Sequence, residues 1–269
     1  MTENKLPTFL RFNLVNLIAV ALIVSGCKPA DSGKPGAEAK PRVALIMKSL
    51  ANEFFLTMEN GAKAHQQAHA SDYDLLANGI KDELDVSRQI DLVEQMVAQH
   101  VNAIVIAPAD SKALVPVCKK AQAAGIIVVN IDNKFDDTVL AASGAKFPFV
   151  GPDNRKGAKA VGDFLAAKLK AGDKVVIVEG APSAFNAIQR RLGFEDAMKA
   201  AGMNIVSSQS GYWETDKANQ VVAALVTEHP DLKAVLCAND SMALGAVAAL
   251  RAAGKLDKIL VVGFDNIAA

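Results

Sequence analysis

Residues able to do chemistry gather in short clusters along this chain. They are Lys48-Ser49-Leu50-Ala51-Asn52-Glu53-Phe54-Phe55, then Asp132-Asn133, then Asn186 with Gln189, Arg190 and Arg191. Gly211-Tyr212-Trp213-Glu214, Cys237-Ala238-Asn239-Asp240 and Gly263-Phe264-Asp265-Asn266 complete the set. Between them they hold carboxylates, amides, a guanidinium and flat apolar rings. That mixture suits a polyhydroxylated small molecule. A hydroxyl is both donor and acceptor; Asp accepts, Arg donates and Asn does both. Hydrogen bonds to charged groups contribute about 1.5–3 kcal/mol each, so a few hold a small neutral ligand. Aromatic rings cover its C–H faces and exclude water, which strengthens the polar contacts. Asp132, Asn239 and Asp265 taken singly also read as helix caps or turn formers. Phe54 and Phe55 also read as core, and Trp213 as filler between lobes.

Other chemistries lack their residues. No G-x-G-x-x-G follows a strand, and no P-loop, nucleophile elbow or H-E-x-x-H occurs. His65 and His69 have the i, i+4 spacing of two metal ligands but no third partner in sequence, so no metal and no cofactor are expected. Four scattered His assemble no activated nucleophile or acid–base pair, so an enzyme is not expected. Lys+Arg and Asp+Glu are both 29, which leaves no basic field to collect nucleic acid. Cys118 and Cys237 read as small buried thiols in different lobes, so a bridge between them is not expected.

The elements that must position these clusters alternate with regularity. Strands are expected at 42–47, 73–77, 103–107, 126–131, 174–179, 204–208, 234–238 and 259–264. Helices are expected from about Phe55 and at 87–99, 111–124, 155–170, 184–201, 216–228 and 241–253. Strands that are nearly continuous Val, Ile and Leu are buried on both faces, which means parallel sheets covered by helices. Strand–helix alternation predicts right-handed crossovers and an α/β fold. The order restarts near 132–155, so two similar lobes are expected, with a connection around Phe149–Asn154. Each cluster then falls beyond the carboxyl end of a strand, where open α/β sheets bind ligands.

The amino end reads as an address. Lys5 and Arg11 precede an apolar run from Phe12 to Val24, too short to cross a ~30 Å hydrocarbon layer comfortably. It ends in Val24-Ser25-Gly26-Cys27, which resembles the lipobox of bacterial lipoproteins. That resemblance implies a signal peptide over 1–26, cleavage before Cys27 and acylation of that cysteine. Two or more acyl chains anchor stably where one is marginal. Residues 27–41, rich in Pro, Gly, Ala and charge, are expected to form a flexible tether.

From about Arg42 onward the chain resembles the type I periplasmic solute-binding proteins of sugar ABC transporters, nearest the ribose-binding group. The pieces that carry the likeness are SLANEFF (49–55), the strand ending in Asp132, PDN (152–154), QRRLGF (189–194), HPDLKAVLCANDSMALGA (229–246) and VVGFD (261–265). The resemblance implies two Rossmann-like lobes, 42–150 and 151–269, joined by a hinge at Asp153 and Asn154. It implies that Asn52 contacts the ligand, that Phe54 and Phe55 form one stacking wall and that Trp213 forms the other. Asp132 would accept hydroxyl hydrogens, Arg190 would donate, and Asn239 with Asp265 would complete the ring. Asn133 stands where ribose binders carry Arg, and exchanging a bidentate cation for a short amide is not conservative. Lys48 lies where some arabinose binders use Lys, which widens the candidates to other aldoses and polyols. Members of the group continue some tens of residues further, so the carboxyl-terminal lobe is expected to be incomplete. The implied function is capture of a monosaccharide or polyol by hinge closure and delivery to an ABC permease. The protein would act as a monomer, lipid-anchored in the periplasm or cell envelope. The rival reading is a sensory protein of the same fold that hands a signal, such as a furanosyl autoinducer, to a receptor.

Overall fold

The structure is a computed structural model that describes residues 39–268. The expected signal peptide, Cys27 and nearly all of the expected tether lie outside these residues.

The first apolar run forms strand β1, Arg42–Ser49. Its side chains alternate between faces, as strand geometry requires. Ala44 and Ile46 join one apolar cluster with Leu92, Val93 and Met96 of helix α2 (Val86–Ala98), and with Val117 and Cys118 of helix α3 (Val115–Ala123). Leu45 and Met47 join another with Phe55, Met58 and Ala62 of helix α1, Glu53–Ala68. Strands β2 (Asp74–Ile80), β3 (Ala103–Ile106), β4 (Ile127–Ile131) and β5 (Phe149–Val150) complete a five-stranded sheet ordered β2-β1-β3-β4-β5. Every pairing in it is parallel.

Helix α4, Asp137–Ser143, and strand β5 were not visible in the sequence pattern. The helix spans 7 residues and buries none of them, so it has no apolar stripe. The strand has 2 residues, too few to alternate.

After β5 the chain passes to helix α5, Asn154–Ala166, which packs on helix α6, Phe185–Ala200. Strands β6 (Lys174–Glu179), β7 (Asn204–Ser210), β8 (Ala234–Cys237) and β9 (Leu260–Val262) form a second parallel sheet ordered β7-β6-β8-β9. Helices α7 (Thr215–Glu228) and α8 (Asp240–Ala252) pack against each other. Gly245 permits that approach, because a Cβ there would stand 2.1 Å from the Thr215 carbonyl oxygen.

Both sheets therefore start in the middle: β1 lies between β2 and β3, and β6 between β7 and β8. The chain turns first to one side and then to the other. This creates a crevice at the carboxyl ends of β1 and β3 in one lobe, and of β6 and β8 in the other.

Candidate functional site

The two crevices face each other across one small cavity. It is lined by Lys48, Asn52, Phe54, Phe55, Glu83, Asp132, Asn186, Arg190, Trp213, Asn239 and Asp265. Lys48 is the penultimate residue of β1, and Asn52 opens α1 as its N-cap, accepting from Phe54 N–H at 3.1 Å. Phe54 and Phe55 meet edge to face, with ring centres 5.1 Å apart. Asp132 follows β4, while Asn186 and Arg190 lie one turn apart on α6. Asn239 caps α8 by accepting from Met242 N–H at 2.9 Å, and its Nδ2 donates to the Trp213 carbonyl at 3.3 Å. The capping reading and the cavity placement are thus both true of Asn52 and Asn239.

Two buried ion pairs organise the charge. Lys48 Nζ lies 3.1 Å from Glu83 Oε2, with both side chains almost fully buried. The same ammonium sits 5.3 Å from the Phe55 ring centre and 5.1 Å from that of Trp213. On the other side, Arg190 Nη1 donates to Asp265 Oδ1 and to the Ala238 carbonyl, both at 2.8 Å. Arg190 Nε donates to Asn154 Oδ1 at 2.8 Å, and its guanidinium lies 3.9 Å from the Phe264 ring centre. Burial raises the Asp132 carboxyl above its ordinary range, against the pull of Lys48 and Arg190. Burial likewise raises Glu83, opposed by Lys48. It pushes Asp265 up to about 7, opposed by Arg190 and reinforced by Asp132.

Three buried polar atoms among the described residues have neither a hydrogen-bond nor an ion-pair partner: Asp132 Oδ2, Asn186 Oδ1 and Trp213 Nε1, whereas Glu83 is held by Lys48 at Oε2 and by Asn52 Nδ2 at Oε1. All three belong to residues that line this cavity. A buried polar group without a partner costs about 1–3 kcal/mol, so their convergence marks a place built for something else to bond. Two acceptors and one donor describe a ligand that both gives and takes hydrogens.

The backbone is bent to make this arrangement. Asp132, Trp213 and Asp265 have φ of 59°, 71° and 113°, in the left-handed region that L-residues with side chains avoid. Each such conformation costs of order 1–3 kcal/mol and persists only where its surroundings enforce it. Gly180 makes room for Trp213, since a Cβ there would lie 2.2 Å from the indole Cζ2.

One expected contact is corrected. Asn133 does not line the cavity. It is fully buried beneath it, its Nδ2 donating to the Pro108 carbonyl at 2.8 Å and its Oδ1 accepting from Asn186 N–H at 3.1 Å. Asp153 and Asn154 sit where the chain passes between the sheets. Asp153 caps α5 through Lys156 N–H, and Asn154 orients Arg190. The sequence reading missed Glu83. It follows β2, so the strand-end rule applied to that strand would have found it. His65 and His69 stack with ring centres 4.3 Å apart, their Nδ1 atoms bonded to Tyr73 and Asp72. Among the described residues no group of three His, Cys, Asp or Glu is placed to hold a metal ion. Cys118 and Cys237 are both free and buried, and burial pushes the Cys118 thiol up to about 12.

The profile of the periplasmic binding protein domain matches residues 43–269. The chain belongs to the periplasmic binding protein family. Its two doubly wound parallel sheets are the type I fold of that family. A D-ribose/D-allose-binding protein of Pseudomonas aeruginosa is 60% identical over 255 residues, covering 94% of this chain and 80% of the relative. The ribose import binding protein of Escherichia coli is 32% identical over 252 residues, covering 94% of this chain and 81% of its own length. Among solved structures, an ABC transporter solute-binding protein from Burkholderia multivorans carries an unknown ligand built as α-D-erythrofuranose. It superposes with a TM-score of 0.85 at 65% identity, covering 86% of this chain and 81% of that one. An ABC transporter periplasmic solute-binding protein from Actinobacillus succinogenes with bound D-allose gives a TM-score of 0.79 at 37% identity, covering 85% and 79%. The Escherichia coli relative and both solved structures are binding proteins of transport systems by name.

Proposed function

We infer that this protein captures a monosaccharide or polyol of ribose-like size between its lobes and delivers it to an ABC permease. The observation that carries the reading is the set of three unpartnered buried atoms around one cavity, contributed by both lobes. Asp132 and Asn186 accept hydroxyl hydrogens, and Trp213 Nε1 donates to a ring or hydroxyl oxygen. Phe54, Phe55 and Trp213 cover the C–H faces, while Arg190 and Asp265 hold each other in place and present their remaining sites. Lys48 is fixed by Glu83 and closes one end of the cavity. Asn52 and Asn239 set the helix ends that carry these groups. Because the contacts are split between lobes, the ligand completes the closed form, and the passage through Asp153 and Asn154 serves as the hinge. Binding makes and breaks no covalent bond. The relatives' names, D-ribose/D-allose-binding protein and ribose import binding protein, support the ligand class.

The protein acts as a monomer outside the cytoplasm, tethered through acylated Cys27. Thermal unfolding of the chain against D-ribose, D-allose, other aldoses and polyols tests the reading. Ligand at ~100 times its dissociation constant adds about 2.7 kcal/mol, and a chain of this size shifts ~2–4 °C per kcal/mol. A cooperative melt that no sugar or polyol moves refutes it.

A further inference from the structure

Helix α6 begins without a cap of its own. Ala184 stands at its N-cap, and no side chain of the cap residue accepts from the first turn. The N–H groups at a helix start need partners outside the helix. Here those partners come from the other lobe. Ser111 Oγ accepts from Phe185 N–H at 2.8 Å, and Asn133 Oδ1 accepts from Asn186 N–H at 3.1 Å. Ser111 N–H donates in turn to the Ser183 carbonyl at 3.1 Å. Ser111 lies between β3 and α3, and Asn133 lies just after β4, so all three bonds run from the first lobe to the second. Both residues are buried and braced: Asn133 Nδ2 holds the Pro108 carbonyl, and Ser111 Oγ donates to Asn133 Oδ1 at 3.3 Å.

We propose that Ser111 and Asn133 form a latch that caps α6 from the opposite lobe and holds the closed form without touching the ligand. They are positioning residues, because α6 carries Asn186 and Arg190 into the cavity. Parting the lobes breaks the three bonds together and strips α6 of its cap. The latch therefore favours closure equally for any sugar inside, whereas the cavity residues choose among sugars. The affinity readout below rests on the sugar-binding reading; the exchange readout does not.

The test uses the full chain, the Asn133→Ala variant and the Ser111→Ala variant. Hydrogen exchange is followed without sugar at the Phe185 and Asn186 amides, with the Val176–Val178 amides of β6 as the fold control. Affinities are measured for D-ribose and D-allose. Both variants are expected to speed exchange at the two α6 amides about tenfold while leaving β6 protected. Both are expected to weaken each sugar by a similar factor, roughly five- to thirtyfold, mainly through faster dissociation. Unchanged exchange at Phe185 and Asn186 in both variants overturns the latch. So does a ribose-to-allose affinity ratio that moves more than about threefold, because that outcome places Asn133 against the ligand. If neither sugar binds the unaltered chain, the sugar reading fails and the exchange data alone decide the latch. If β6 loses protection in Asn133→Ala, the milder Ser111→Ala variant decides.

Discussion

Asp265 is the residue through which solution pH reaches the site. Burial pushes its carboxyl up to about 7, with Arg190 opposing and Asp132 reinforcing. A ligand hydroxyl that donates to this carboxylate favours the ionised form, so binding expels a proton wherever Asp265 was protonated. Sugar affinity is expected to be flat above about pH 7 and to fall as pH drops below it, by up to about tenfold per unit. Asp265→Asn should flatten that profile, which calorimetric titration with D-ribose or D-allose between pH 5 and 8 would show. Stability without sugar runs the other way. The folded pKa lies above the unfolded one, so the contribution of Asp265 is full below about pH 4 and is lost as pH rises through about 7. Lys48 and Glu83 make a second argument at this scale. Removing one member of a buried ion pair leaves an uncompensated charge and costs on the order of 3–5 kcal/mol. Glu83→Ala should therefore lower the midpoint of thermal unfolding by roughly 6–20 °C. The double variant Lys48→Met, Glu83→Leu should recover most of that loss while abolishing sugar binding. A Glu83→Ala chain that melts with the unaltered one would show that the pair is not structural.

The elements divide into those the sequence displays and those it hides. Every strand long enough to be an apolar run, and every helix with a buried stripe, could be read from the residues alone. Helix α4 and strand β5 were invisible because neither buries a periodic set of side chains. The site was legible in the same way. Asn52, Asp132, Trp213, Asn239 and Asp265 each lie just past a strand, where one rule collects them, and Arg190 lies on the helix that follows β6. Asn133 misled for a tertiary reason: it neighbours Asp132 in sequence, but the left-handed turn at Asp132 sends the two side chains to different environments. Glu83 was open to the same strand-end rule, but the partners of α6 could not be found from the sequence, since they depend on which loops meet across the cavity. Two glycines put this dependence to the test. Gly245→Ala forces a Cβ against the Thr215 carbonyl and should cost about 1–3 kcal/mol by separating α7 from α8. Gly180→Ala forces one against the indole of Trp213. Its main effect should be on sugar affinity, a loss of about tenfold or more, with denaturant unfolding changed less than in Gly245→Ala. The reverse order would mean that Trp213 is chiefly core.

For the whole molecule the decisive property is where charge lies rather than how much there is. The formal net charge is zero. No long-range field gathers the ligand, and Lys48 with Glu83 and Arg190 with Asp265 are paired and buried. Screening acts weakly on buried pairs. Raising salt from about 0.05 to 0.5 M is therefore expected to change the dissociation constant for D-ribose or D-allose by less than about twofold. A steep salt dependence in equilibrium titrations would point instead to an ionic ligand.

The left-handed residues at 132, 213 and 265 also limit how this protein could be retuned. Specificity can drift only through substitutions that the backbone tolerates, and these three positions accept few. Asn suits positions 132 and 265 in shape and conformation, while β-branched residues there are penalised before any ligand is considered. Trp213 sits in a slot cut to its ring by Gly180. Asn52, Glu83 and Asn186 stand on ordinary backbone and are free of that constraint. A search for variants with a new sugar preference should find its winners at those three positions, and the strained three should come through unchanged.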